Sequence, residues 1–262
     1  MTRAHLFEFE DQSWLPAPLR DAMTTVLRDC LTLGQGIYAP VGPIIAKLLA
    51  AQGSRQIVDL CSGAGGPWAS LLPAVEQLAG PVHLTLTDKY PNRAALEETV
   101  TILGTSADYQ RDSVDATAVH AGLRGVRTLF TGFHHFPPAV ARQVLADAFH
   151  SRAGIGVFEF TARSAAAITD SVLNAAPRVY RSVLRARPPR LTTLLSCFPL
   201  PVLPLLLTWD AVVSDLRTYS PEELRDMVSG LQAPDYRWEI DVLRAPDGPP
   251  ITALAGIPQV AQ

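Results

Sequence analysis

Apolar residues recur along this chain at two spacings, which predict strands and helices in turn. Short apolar runs at 56–60, 82–88, 127–133 and 154–160 are typical of buried strands, and segments with helical spacing separate them. Strands that alternate with helices favour a parallel sheet covered by helices on both faces. The pattern therefore predicts an α/β fold over residues 56–160.

The flanking segments extend this prediction at both ends. Residues 16–31 and 40–51 have the spacing of two helices ahead of the first strand, and we expect residues 1–52 to form a helical cap. Near the other end, Ser220, Pro221 and Glu223 are typical of a helix start with a capping box. Two further strands are predicted at 236–243 and 251–257, joined by a turn at 245–250.

The most informative local pattern is the small-residue loop after the first predicted strand. Asp59 ends that strand, and Gly63 and Gly65 follow in a loop that allows close approach of a ligand. Dinucleotide-binding loops need a third glycine so that the helix packs tightly on the strand, but Trp68 occupies that position here. The loop therefore predicts a nucleotide-type site that is unlike a pyrophosphate site. A structural turn without a ligand is the alternative.

Acidic residues also close the next two predicted strands. Asp88 ends the second strand, where a carboxylate suits the two hydroxyls of a ribose, although it could equally cap the following helix. Asp112 and Ser113 follow the third strand, and Asp115 after them could equally be a solvated loop acid.

In this order, the motifs resemble those of small-molecule class I S-adenosylmethionine-dependent methyltransferases. Asp59, Leu60, Gly63 and Gly65 match the first family motif, and Cys61 replaces its first glycine. The resemblance implies a Rossmann-like seven-stranded sheet with S-adenosylmethionine as the cofactor. It also implies a set of cofactor-binding residues, namely Asp59, Cys61, Gly63, Gly65, Asp88, Asp112 and Ser113. The core would comprise residues 53–163 and 218–262.

Candidate catalytic and substrate-binding residues follow from the same resemblance. His134 and His135 come after the fourth strand, where family members present groups to the substrate, and histidine is a suitable general base near neutral pH. They could instead shape the cofactor pocket. The candidate substrate contacts are Trp14, Tyr38, Glu159, Arg217 and Tyr219. The alternatives are core packing for the two aromatic residues, a buried pair for Glu159, and structural ion pairs or caps for the last two.

Residues 164–217 form a predicted insertion with two unlike parts. Five arginines lie within the thirteen residues 178–190, and residues 191–209 carry no charged side chain. Pro199, Pro201 and Pro204 argue against a continuous membrane-crossing helix. We expect a hydrophobic lid over a pocket for a lipophilic molecule. Contact with an anionic membrane surface through 178–209, an extra packing layer and a homodimer contact are the alternatives.

Composition narrows the remaining classes. A hydrophobic fraction of 48% and a charged fraction of 18% fit a well-packed globule, and a net charge of −3 leaves no basic footprint for nucleic acid. The three cysteines lack metal-ligand spacing, so we expect no metal and a reducing, cytoplasmic setting, with peripheral membrane contact as a variant. The first fifteen residues lack a signal-peptide pattern.

The sequence thus predicts methyl transfer from S-adenosylmethionine to a small, apolar metabolite. A non-catalytic S-adenosylmethionine-binding protein and a methyltransferase-fold enzyme with non-methylating chemistry are the alternatives. A nicotinamide dehydrogenase is disfavoured by Trp68.

Overall fold

The computed structural model of this protein describes residues 1–33, 36–187, 190–244 and 248–259. The helices are α1 (Ala17–Leu33), α2 (Gly42–Gln52), α3 (Trp68–Ala79), α4 (Arg93–Leu103), α5 (Pro138–His150), α6 (Ala165–Arg185), α7 (Leu191–Leu195), α8 (Val202–Arg217) and α9 (Pro221–Val228). The strands are β1 (Gln56–Asp59), β2 (His83–Leu86), β3 (Ala107–Tyr109), β4 (Val126–Phe130), β5 (Ile155–Glu159), β6 (Tyr236–Leu243) and β7 (Ile251–Pro258).

Within the described residues these strands form one seven-stranded sheet in the order β3-β2-β1-β4-β5-β7-β6. Strands β1 to β5 pair in parallel, and β7 runs antiparallel to both β5 and β6. The strand order reverses between β1 and β4, and such a switch point opens a crevice at the carboxyl ends of the strands. The predicted α/β sheet is confirmed. Of the predicted turn between the last two strands, residues 245–247 lie outside the described residues.

Helices cover both faces of the sheet. Ile45 and Leu48 of α2 pack with Leu72 and Val75 of α3 in the core on one face. The core on the other face is built from α5 and α9, and it includes Val144, Leu145, Leu224 and Met227. Both faces of the central strands are therefore dry, which explains why β4 and β5 are buried at every position.

A third core lies apart from the sheet. Helix α1 contributes Met23 and Val26, α6 contributes Val179 and Val183, and α8 contributes Leu203. Each of these helices has one apolar side that it cannot bury against the sheet, so the helices bury those sides against one another. The N-terminal helix and the insertion therefore pack together.

The apolar part of the insertion forms two separate helices, and one of the three prolines lies within the second. The prolines do interrupt it, since α7 ends at Leu195 and α8 begins at Val202. However, Pro204 lies inside the first turn of α8, where its missing N–H has no intrahelical partner to lose. Across the described ranges, every helix falls short of the length and apolar character that a bilayer crossing requires.

Candidate functional site

The glycine loop leaves β1 at the switch point and returns into α3. Gly63, Gly65 and Gly66 have φ values of 55°, 109° and 51°, which a residue with a side chain rarely adopts. A Cβ on Gly65 would also lie 2.6 Å from Thr99 Oγ1 of α4. The start of α3 is filled by the buried ring of Trp68, which packs against Phe130 with ring centroids 5.4 Å apart. Glycine is therefore required in the loop, and a bulky residue is accommodated after it.

Two residues other than glycine have positive φ at the neighbouring strand ends. Cys61 follows β1 with a φ of 57°, and Thr131 follows β4 with a φ of 45°. Such conformations are costly, most of all for a β-branched residue, and they concentrate at functional sites. The two backbones also approach closely, since a Cβ on Gly132 would lie 3.3 Å from Cys61 Cβ. Strain is thus located on both sides of the switch point.

Asp88 joins the end of β2 to the glycine loop. Its Oδ2 accepts a hydrogen bond from the Gly63 backbone N–H at 2.7 Å, and its Oδ1 accepts one from the Tyr90 N–H at 2.7 Å. The following helix is capped by Asn92, whose side chain accepts from the Ala95 N–H. The helix-cap alternative for Asp88 is therefore wrong. The half-buried carboxylate lies beside the loop instead.

Asp59 is directed into the protein. The hydroxyl of Ser62 donates to Asp59 Oδ2 at 2.7 Å, and that of Thr128 donates to Oδ1 at 2.6 Å. Burial raises the pKa of Asp59 to about 7, and the nearby charge of Asp88 adds to this shift. The same burial raises the pKa of the Cys61 thiol well above its ordinary value. The Asp59 side chain thus holds Ser62 of the loop in this structure, and contact of Asp59 or Cys61 with a cofactor stays a prediction.

The remaining predicted cofactor residues lie at the exposed rim. The Ser113 hydroxyl donates to the Lys89 carbonyl at 2.8 Å, and the Val114 N–H donates to the Asp88 carbonyl at 2.9 Å. The loop after β3 is therefore held against the loop after β2, and Asp112 lies exposed within it. Asp115 accepts from the Thr117 N–H and hydroxyl, as expected for a loop acid.

Helix α1 closes this end of the sheet from above. The Asn92 amide donates to Asp21 O at 3.0 Å and to Thr24 Oγ1 at 2.9 Å, and Arg28 donates to Ala95 O at 3.2 Å. A Cβ on Gly63 would lie 3.7 Å from Thr24 Cγ2. The N-terminal helix therefore borders the glycine loop, and its role as a cap over a cofactor stays a prediction.

The His-His pair lies after β4 and has two different environments. His134 is 1% exposed, and its Nδ1 lies 2.7 Å from Glu159 Oε2 at the end of β5. Glu159 also accepts from the Phe133 N–H at 2.7 Å and from the Thr161 hydroxyl at 3.1 Å. Burial opposes ionisation of Glu159, but His134 and these donors outweigh it, so its pKa is lowered. His134 Nε2 has no hydrogen-bond partner among the described residues.

His135 belongs instead to an ionic network with residues near the N-terminus. Its Nδ1 lies 3.2 Å from Glu8 Oε2 and 2.9 Å from Asp11 Oδ1. Burial disfavours the charged ring, but the two carboxylates outweigh it and raise the pKa of His135 to about 10. Arg217 Nη1 completes the network at 2.9 Å from Glu8 Oε1 and 2.7 Å from Asp11 Oδ2. Arg217 is thus engaged in a structural ion pair.

The sequence analysis missed this role of the first eleven residues. Asp210 of α8 accepts hydrogen bonds from the Phe9 N–H at 2.8 Å and the Glu10 N–H at 3.2 Å. Burial and the charge of Asp210 raise the pKa of Glu10 to about 8. The signal was present, since three acids, Glu8, Glu10 and Asp11, stand close together among apolar residues, but sequence spacing did not reveal their partners more than 120 positions away.

The predicted aromatic contacts fall into two groups. Tyr38 is buried, its hydroxyl bonds with the Thr131 hydroxyl, and its ring meets Phe130 edge-on at 4.9 Å. Tyr219 is also buried and donates to the Phe136 carbonyl at 2.6 Å. Trp14 is 64% exposed. Tyr38 and Tyr219 therefore border the β4 end, whereas Trp14 lies on the surface.

Glu8, His134 and His135 offer three ligand atoms within 4.8 Å of one another. Because Arg217 already lies 2.9 Å from Glu8 Oε1, this carboxylate has a cationic partner. The prediction of no metal remains untested.

No protein-family model and no curated protein matches this chain. Among solved structures, the O-methyltransferase NcsB1 from neocarzinostatin biosynthesis was crystallised with S-adenosylmethionine and 2-hydroxy-5-methyl naphthoic acid. It is 14% identical, with a TM-score of 0.55 over 92% of this chain and 58% of its own. An O-methyltransferase family protein from Burkholderia thailandensis is 15% identical, with a TM-score of 0.47 over 86% and 57% of the two chains. Human N-acetylserotonin methyltransferase is 15% identical, with a TM-score of 0.45 over 88% of this chain and 55% of its own.

The chain therefore spans less than two thirds of the length of these structures. The sheet order and the NcsB1 match nevertheless agree with the motifs at the ends of β1 and β2. This protein has the fold of the class I S-adenosylmethionine-dependent methyltransferases.

Proposed function

We propose that this protein transfers a methyl group from S-adenosylmethionine to a small, apolar metabolite. The observation that carries the proposal is the contact between Asp88 Oδ2 and the Gly63 N–H at 2.7 Å, at the switch point of the sheet. The half-buried carboxylate of Asp88, which follows β2, therefore contacts a loop with backbone conformations that only glycine adopts readily.

The chemistry of these residues fits the cofactor. An ionised carboxylate offers about four lone-pair positions, and the two backbone N–H groups on Asp88 occupy two of them. The other two are available to the two hydroxyls of a ribose. Ser113 and Asp112 lie on the adjoining loop, which is held against the loop after β2. Bound there, S-adenosylmethionine would supply an electrophilic methyl group.

His134 is the residue that we assign as the general base. In the tautomer whose Nδ1–H donates to Glu159, the Nε2 lone pair would be available for a proton from an acceptor hydroxyl. His135 is unsuited to this role because Glu8 and Asp11 keep it protonated, with a pKa of about 10. Of the two histidines predicted from the sequence, we thus assign His134 as the base and His135 as a structural cation.

Residues near the N-terminus control access to this base. Glu8 Oε1 is the nearest carboxylate to His134 Nε2, at 3.8 Å, and Arg3 donates to the His134 and Phe136 carbonyls at 3.3 Å. An acceptor must displace this segment to reach Nε2. Tyr38 and Tyr219, which border the β4 end, support a mainly apolar acceptor. The free cysteines among the described residues fit the proposed cytoplasmic location.

Calorimetry with S-adenosylmethionine and S-adenosylhomocysteine tests the cofactor site. We expect binding at micromolar levels, and we expect Asp88→Ala to weaken it by about 10- to 100-fold through the lost charge-assisted hydrogen bonds. Asp241→Ala on the opposite edge strand is the matched control and should bind normally. Absence of binding, together with no thermal stabilisation by either ligand, would contradict the proposal.

Transfer is tested separately from binding. The protein is incubated with S-adenosylmethionine and a panel of apolar phenols, and methylated products are measured by mass spectrometry. His134→Ala should lower any turnover by about 10² to 10⁴ while leaving cofactor affinity unchanged. Cofactor binding without a methylated product across the panel would favour the non-catalytic alternative.

A further inference from the structure

The insertion exposes an unusually apolar surface in the middle of its sequence. We define the lid tip as residues 181–187 and 190–205. Its inner side chains Val183, Cys197 and Leu203 are buried in the core shared by α1, α6 and α8. Its outer side chains are Leu184, Leu191, Leu195, Phe198, Leu200 and Leu205, each between 46% and 69% exposed. A cluster of large, exposed apolar side chains in one short segment is typical of a contact surface.

These groups lie together in space. Tyr180 of α6 meets Phe198 with ring centroids 5.5 Å apart, and the Leu203 N–H donates to the Ser196 carbonyl at 2.9 Å. The end of α6, helix α7 and the start of α8 therefore form one compact projection, with apolar side chains directed outward.

Arginine side chains accompany this apolar surface. Arg178 is paired with Asp170 at 2.7 Å, and Arg190 with Asp29 at 2.6 Å. Across the ranges that the structure describes, Arg181, Arg185 and Arg187 form no ion pair with a carboxylate, and Arg187 donates only to the Leu184 and Ala186 carbonyls. Three exposed cationic groups thus remain available beside the leucines.

The charge distribution along the chain is strongly uneven. Residues 171–209 contain five arginines and no acid, whereas the whole chain has a net charge of −3, so the rest carries −8. Apolar side chains flanked by unpaired arginines are complementary to the interface of a bilayer that contains anionic lipid. We infer that the lid tip docks this protein on an anionic lipid surface.

A second copy of this chain fits the same surface less well. A two-fold contact brings the same patch of both copies together, so six arginines, three from each copy, would be gathered at one interface without a carboxylate from the lid tip. Anionic headgroups neutralise these arginines, and the acyl region accepts the leucines. This docking is independent of methyl transfer.

Co-sedimentation with vesicles tests the inference on the full chain. We expect binding to equimolar phosphatidylcholine and phosphatidylglycerol, little binding to phosphatidylcholine alone, and release at high salt. Arg181→Glu with Arg185→Glu should weaken binding by more than about tenfold. The control Arg124→Glu with Arg142→Glu reverses two exposed arginines outside the insertion and should bind normally.

The apolar contribution has its own variant. Leu195→Ser with Leu200→Ser should lower vesicle binding, whereas Ile102→Ser, which changes an equally exposed residue of α4, should not. Circular dichroism and thermal stabilisation by S-adenosylhomocysteine verify that each variant is folded, and they report on the cofactor site separately. The inference is overturned if the vesicles fail to bind, if the lid-tip variants bind like the controls, or if light scattering shows a dimer that Leu195→Ser dissociates.

Discussion

His134 Nδ1 lies 2.7 Å from Glu159 Oε2, which joins the end of β4 to the end of β5 across the candidate site. Both side chains are buried, and Glu159 also holds the backbone N–H of Phe133. The carboxylate thus orients the imidazole and the turn that carries it. Removal of either partner leaves a buried polar group unpaired.

Glu159→Gln should lower the free energy of unfolding by about 1–3 kcal/mol at pH 7, because it replaces a buried carboxylate that contacts His134 and accepts hydrogen bonds from Phe133 and Thr161. The pKa of Glu159 is lowered from its ordinary value of 4.5, so the pair stabilises the protein above that pH and less as the pH falls. Urea denaturation of both proteins at pH 7 and pH 4 measures the difference, which should shrink at the lower pH. Glu97→Gln on α4 is the control, and an equal loss in it would contradict this role.

The raised pKa of His135 predicts that its contribution to the free energy of unfolding is lost at high pH. Its pKa rises from 6.5 to about 10 on folding, so its contribution is full below pH 6.5 and is lost as the pH rises through 10. His135→Gln should therefore cost on the order of 3 kcal/mol at pH 6 and much less at pH 10. Chemical denaturation at both values measures this, with the exposed His150→Gln as control. A loss independent of pH would argue for lost packing instead.

Arg217 should hold the N-terminal segment in place. Its guanidinium contacts the buried Glu8 and the partly exposed Asp11, so Arg217→Gln leaves both carboxylates with His135 as their remaining cationic partner. We expect hydrogen exchange of the amides of residues 4–11 to increase by about tenfold or more, with little change in β1. Arg225→Gln, an exposed arginine on α9, is the control. Unchanged protection of residues 4–11 would show that other contacts hold the segment.

A side chain at position 65 should clash with α4 and strain the backbone of the glycine loop. Gly65→Ala should destabilise the protein by about 1–3 kcal/mol, because its φ is 109° and the new Cβ would lie 2.6 Å from Thr99 Oγ1. Adding Thr99→Ala removes the close contact but retains the unfavourable φ, so only part of the stability should return. Thermal denaturation measures both variants. Gly230→Ala is the control, since a Cβ there meets nothing within 4 Å.

Local patterns were sufficient for the elements of the sheet and for the tight turn of the glycine loop. The apolar run before Asp59, the alternation before Asp88 and the capping residues Ser220 and Glu223 predicted strands and a helix start that the structure confirms. These features depend on side chains close in sequence, where period and capping are decided by the backbone itself. The hairpin-turn prediction at 245–247 lies outside the described residues.

Long-range electrostatic partners were beyond such patterns. The sequence placed His134 and His135 side by side with the same expected role, but the structure pairs one with Glu159 and the other with Glu8 and Asp11. Arg217 was an expected substrate contact, and the structure places it in the same network. Nothing in the spacing of these residues encodes which of them meet, because they lie on segments brought together only by packing.

The sequence by itself determined the α/β sheet and the glycine loop beside Asp88, because strand period, turn chemistry and the positions of the strand ends are local properties. Only the tertiary structure decided that α1 and the insertion share a core, that the first eleven residues cover His134, and that the apolar tip faces outward. Each of these three arrangements depends on which apolar faces remain exposed after the helices have covered the sheet. Which faces remain exposed is a property of the packed structure and not of any local sequence pattern.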